Sequence, residues 1–151
     1  MRSFIIIFTL FFGISHAQIK YDSVSSIVAA NPKWYESKGN IFHIGFQCGN
    51  LFSASNHYLR KQKYGDQRLI DLMNYYFEFY SFSSIRYSQE ELLISLDGMI
   101  NLGNQIYEHY LLQMPTNFSI QDGQFRGSIK NDMRECLRSI KVFQNLPQIS
   151  T

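Results

Sequence analysis

Apolar residues recur along most of this chain at steps of three and four, the spacing that gathers side chains on one face of an α-helix. The clearest run is Ile41 to Leu59, in which Ile41, Ile44, Cys48, Leu51, Ser55 and Tyr58 form a single stripe. A similar stripe of Ile129, Met133, Cys136, Ile140 and Phe143 predicts a last helix from Ser128 to about Asn145. Both cysteines therefore fall on faces that turn toward other helices.

The remaining elements follow from start and stop signals. Asp22 as N-cap, the apolar Val24, Ile27 and Val28, and the breaker Pro32 predict a short N-terminal helix. Lys33 to Asn40 reads as a linker whose Trp34 and Tyr35 fold back onto the body. The helix through Cys48 is expected to run to about Lys63 and stop at Tyr64-Gly65, with glycine in the left-handed C-terminal conformation. Gly45 and Gly49 within it are spaced for close packing against a second helix. Asp66 caps a third helix with Leu69, Leu72, Met73, Tyr76, Phe77 and Tyr80 facing inward, and Ser81 to Tyr87 reads as a serine-rich turn.

Ser88 and Glu91 form a capping box, with Tyr87 and Leu92 at the positions of a hydrophobic staple. They would open a fourth helix along Leu92, Leu96, Met99, Gly103, Ile106 and Tyr110, stopped by Pro115. The stretch from Gln113 to Gly127 has no convincing period, and loops of that length in small domains tend to carry function. The fold class expected is all-α, a compact helical bundle of about four main helices plus a short N-terminal helix, with one disulfide.

Composition adds a compartment. Arg2, the apolar run from Phe4 to Phe12 and the small residues Ser15 and Ala17 read as a signal peptide over residues 1–17, which leaves residues 18–151 as one helical domain with no membrane span. An exported chain with two cysteines keeps them oxidised, and only the pair Cys48–Cys136 is possible within the chain. With 14 basic and 12 acidic residues the charge is close to balanced, which argues against nucleic acid as a partner. The cluster Arg60, Lys61 and Lys63 is explained by the negative end of a helix dipole.

Candidate chemistry is sparse. The chain has no GxSxG elbow, no phosphate-binding GxxxxGK[ST], no HExxH and no calcium loop, so no catalytic residue, metal site or cofactor is assigned. His43 and His57 share a helix but are about 20 Å apart at its rise per residue, too far for one metal ion. His109 stands apart from both, and Glu90 and Glu91 suit a helix N-terminus.

Four features occur in a telling order: Cys48 in the first main helix, Tyr76-Phe77-Glu78-Phe79 in the next, a Pro-Gly loop, then Met133 and Cys136 with Leu137 in the last. Together with the export signal, this order resembles the periplasmic immunity proteins that neutralise type VI secretion amidase effectors. Tyr80 stands where that pattern often has a small residue, and Met133 and Cys136 are one residue farther apart than in it. The resemblance implies a non-enzymatic homodimer of helical bundles whose partner is a secreted cell-wall amidase, blocked by a loop pushed into its cleft.

The loop expected to do this is Pro115 to Arg126, with Phe118 and Phe125 as anchors and Asn117, Ser119, Gln121, Asp122, Gln124 and Arg126 around them. The alternative for the two phenylalanines is that they tuck into the bundle. Three other functions fit the same chain: a pilotin-like envelope interaction protein using the YYFEFY surface, a secreted helical glycoprotein modified at Asn117, or a small hydrolase assembled across the fold.

Overall fold

Among the described residues, four other helices and a small hairpin wind around one long central helix. A computed structural model describes residues 22–87 and 95–146. The leader 1–17, Ser88 and Glu91 of the expected capping box and Leu92 of its staple lie outside the described residues. In chain order the elements are α1 (Val24–Ala30), a 3₁₀ turn (Trp34–Glu36), α2 (Lys38–Lys61), α3 (Gln67–Tyr87), α4 (Leu96–Asn117), β1 (Phe118–Ser119), β2 (Gln124–Phe125) and α5 (Gly127–Gln144). The all-α bundle with one disulfide is what the periodicity predicts; the hairpin is additional.

Helix α2 is the hub, packing most heavily on α3, then on α4, and touching α1 and α5. It is covered on most sides, and the polar residues this buries, Gln47, Ser55 and Asn56, each have a hydrogen-bond partner. The stripe of Ile41, Ile44, Cys48, Leu51, Ser55 and Tyr58 is wholly buried, and Phe42, Phe46 and Phe52 bury other sides. Cys48 is bonded to Cys136 of α5, with 5.6 Å between their Cα atoms.

Close approach explains the small residues. A Cβ on Gly45 would stand 2.5 Å from Ser84 Oγ and 2.6 Å from a Phe143 ring carbon, and one on Gly49 would stand 3.1 Å from Ser81 Oγ. Glycines on α2 thus face serines on α3. The Ser81–Tyr87 stretch is accordingly the last part of α3, not a turn: its serines are the small surface that lets two helices lie together.

Several ends differ from expectation for identifiable reasons. Ser23, not Asp22, caps α1 by accepting from the Ser26 N–H. Ser37 caps α2 within the expected linker, and Trp34 is buried against Phe143 while Tyr35 stays exposed. On α3 the inward positions include Ile70 and Met73, whereas Leu72 is exposed. Asp66 does cap α3, its carboxylate accepting from the backbone of Arg68 and Leu69.

Helix α4 starts after Ser95, whose hydroxyl accepts from the Gly98 N–H, so Leu96 belongs to its first turn and is exposed. It also runs through Pro115 to Asn117. Proline so near a C-terminus loses a single backbone bond, and the Thr116 hydroxyl and Asn117 amide both donate to the Gln113 carbonyl, at 3.1 and 3.0 Å.

Helix α2 ends without glycine. Lys63 takes the left-handed conformation (φ 53°), and the N–H groups of Lys63 and Tyr64 reach back to the carbonyls of Arg60 and Leu59, both at 3.0 Å. This is a Schellman motif, and the hydrophobic residue it places beyond the helix is Tyr64.

Candidate functional site

Two strands of two residues form the only sheet among the described residues, an antiparallel hairpin with Phe118 opposite Phe125 and Ser119 opposite Gln124. A two-residue strand leaves no alternation to detect, which is why the sequence reads as a loop here. Its four-residue turn closes through the Gly123 N–H, which donates to the Ser119 carbonyl at 2.8 Å, with Gly123 in the left-handed region at φ 66°.

Asp122 organises the turn. Its carboxylate accepts from the Gln124 N–H at 3.1 Å and pairs with the Arg126 guanidinium. The Ser119 hydroxyl, more than the Arg126 charge, holds this exposed carboxyl below its usual range. The turn is therefore fixed by its own side chains.

Beneath the turn the hairpin is locked to the bundle. Phe118 is 6 % exposed and meets the edges of Tyr58 and Tyr64, with ring centres 6.1 and 5.3 Å away, while Phe125 lies over it at 4.8 Å. Neither phenylalanine projects as an anchor from the tip: Phe118 tucks into the bundle and Phe125, half-buried, lies against it, because two adjacent rings remove more apolar surface from water there than at a turn tip. Asn117 is a brace as well. Its amide nitrogen donates to Gln113 and Thr116, and its oxygen occupies the space a Cβ on Gly127 would need. A glycan on Asn117 would have to displace these bonds.

The expected contact set thus divides. Asn117, Phe118 and Phe125 hold the hairpin, whereas Gln121, Asp122, Gln124 and Arg126 are exposed and Ser119 is half-buried. Between them stands Ile120, 52 % exposed at the start of the turn and outside the expected contact set. A lone apolar residue among Ser119, Gln121 and Asp122, three positions before a glycine, is the signal the sequence carries.

The strongest buried polar cluster lies elsewhere. Asp132 is 1 % exposed; one oxygen accepts from the Ser25 N–H and hydroxyl at 2.9 and 2.6 Å, the other from the Tyr110 hydroxyl at 3.0 Å. Gln47 donates to the Asp22 carbonyl and to His43 Nε2, both at 2.8 Å. These bonds clamp α1 to α2, α4 and α5 and join His43 to Gln47 instead of to a nucleophile. Elsewhere His57 Nδ1 pairs with the Tyr107 hydroxyl at 2.6 Å, and His109 Nε2 with Gln113 at 2.7 Å. Among the described residues no group of three His, Cys, Asp or Glu is placed to hold a metal ion, and no helix is long and apolar enough to cross a membrane.

The YYFEFY run divides between core and surface. Tyr80 is fully buried and Tyr76, Phe77 and Phe79 partly so, but Leu72, Tyr75 and Phe82 form an exposed row along the outer side of α3. Comparison with protein-family models, with curated proteins and with solved structures gives no match to this chain.

Proposed function

We propose that this chain is an exported, non-enzymatic immunity protein that neutralises a secreted cell-wall amidase, with the hairpin tip as its inhibitory element. The observation that carries the proposal is the hairpin itself, a turn tied by Asp122 and seated on Phe118, Tyr58 and Tyr64, which presents Ile120 and polar neighbours outward. A rigid element that needs no ordering on binding is what a cleft-blocking inhibitor requires. The amidase class comes from the order of Cys48, Tyr76 to Phe79 and Cys136, and export from the leader pattern together with the disulfide.

The test separates tip from base. Co-expression with a periplasmic peptidoglycan amidase should protect cells, and Ile120→Asp combined with Gln121→Ala should abolish protection while the circular dichroism spectrum is unchanged. Full protection by that variant sinks the assignment of the tip.

The exposed row of Leu72, Tyr75 and Phe82 favours a second reading, an envelope interaction protein of the pilotin type. The same row is where a second copy would seat in the homodimer that the resemblance implies. Capture of a secretion component that is lost on Phe82→Asp supports the pilotin reading; a dimer mass in sedimentation that falls to a monomer supports the other.

A further inference from the structure

Helix α5 carries two parallel ridges on its outer surface. Lys130, Arg134 and Arg138 follow one another at steps of four, and beside them Met133 and Leu137 make the same step. Residues one helical turn apart stand in line along a helix, so the ridge of cations spans about 12 Å. Strand β2 closes the far side, where Phe125 faces Met133 and Leu137 across a groove of about 590 Å³. Leu137 is 44 % exposed, while Met133 forms the buried floor.

The cations are set in place beforehand. Glu135, with only 12 % of its side chain exposed, accepts from Arg134 at 3.2 Å and from Arg138 at 2.9 Å, so one sunken carboxylate orients both guanidinium groups. Each guanidinium commits one N–H of its five to that carboxylate. Among the described residues Lys130 has no ion pair. Three cations against one carboxylate leave the rim positive beside an apolar floor.

We infer that this groove between β2 and α5 is a docking site for an acidic amphipathic segment of a partner protein. Its acids, one helical turn apart, lie on Lys130, Arg134 and Arg138, and its apolar residues lie on Phe125, Met133 and Leu137. A basic or neutral apolar segment would strip water from the rim without returning a partner to it, which gives the groove its selectivity. The site is distinct from the tip at Ile120, and its ligand need not be the protein the tip engages.

The experiment uses the whole protein and a fluorescein-labelled helical peptide with glutamates at i, i+4 and i+8 alternating with leucines, beside the same peptide carrying lysines. Fluorescence anisotropy should give binding of the glutamate peptide at least about tenfold tighter than the lysine peptide, weakening with salt. Arg134→Glu with Arg138→Glu, and separately Leu137→Asp, should each weaken it by about tenfold or more, and Ile120→Asp should leave it unchanged. These positions are exposed, and circular dichroism checks that each variant is folded. Equal affinity for the two peptides, no binding at millimolar protein, or binding that survives both groove variants overturns the inference. So does self-association that Leu137→Asp abolishes, since the occupant is then a second copy.

Discussion

Tyr80 donates its phenol hydrogen to the backbone carbonyl of Cys136, fastening α3 to the half-cystine on α5. Ser139 donates to the same carbonyl at 2.8 Å and lies 2.9 Å from the Tyr80 hydroxyl. Covalent and polar links between the helices thus converge on one residue.

Reducing the disulfide, or Cys48→Ser with Cys136→Ser, releases a loop of 88 positions, and the chain-entropy relation puts the loss at about 4 to 5 kcal/mol. Tyr80→Phe should cost about 1 kcal/mol, the net worth of the hydrogen bond removed, since Ser139 still donates to the Cys136 carbonyl. Because the two sites touch, the triple variant should lose less than the sum. Urea unfolding of the four proteins measures this, and strict additivity would show the links to be independent.

Stability should fall on both sides of neutrality. Burial raises the pKa of Tyr80 and of Tyr110 above the ordinary 10.0, and beside Tyr110 the Asp132 carboxylate adds to the shift. The unfolded chain gives up these two protons near pH 10 while the folded protein keeps them, so stability is complete below that pH. It then declines as pH rises, by about 1.4 kcal/mol per pH unit for each group. On the acid side, burial lowers the pKa of His43 below 6.5, against a smaller opposing effect of Asp22, and its Nε2 already faces the donating amide of Gln47. The unfolded chain takes up that proton first, so the contribution is whole above pH 6.5 and is lost as pH falls toward the depressed value. Thermal melts from pH 4 to 11 should show both declines, and His43→Gln should flatten only the acid one.

Gly45→Ala should destabilise the fold by about 1 to 3 kcal/mol or more, since the new methyl meets Ser84 and the Phe143 ring well inside contact distance. Gly49→Ala meets nothing nearer than Ser81 Oγ at 3.1 Å and should cost less, partly offset by the better helix propensity of alanine. Denaturation midpoints in the order wild type, Gly49→Ala, Gly45→Ala check this packing; the reverse order would place the helix contact elsewhere.

What the sequence discloses depends on how strongly each part of the chain is buried. On α2 and α5 whole stripes are covered by neighbours, so the period of Ile41 to Tyr58 and of Ile129 to Phe143 identifies helices, faces and the disulfide together. Helix α3 has an aromatic residue on nearly every side, and no period separates the buried Tyr80 from the exposed Phe82. Serine and proline misled for opposite reasons: Ser84 serves close packing inside a helix, and Pro115 lies too near a helix end to stop it. At the candidate site the exposed polar residues were legible as a loop. The inward turn of Phe118 was not, because it depends on Tyr58 and Tyr64, about sixty residues earlier.

Tyr64 makes the length of α2 matter beyond the helix. It stands after the Schellman turn, its ring against Phe118 and its hydroxyl where a Cβ on Gly123 would be. A single residue inserted before Lys61 would swing it by about 100° around the helix axis and take the support from under the hairpin. The last turns of the central helix thus act as a gauge that sets where the tip points.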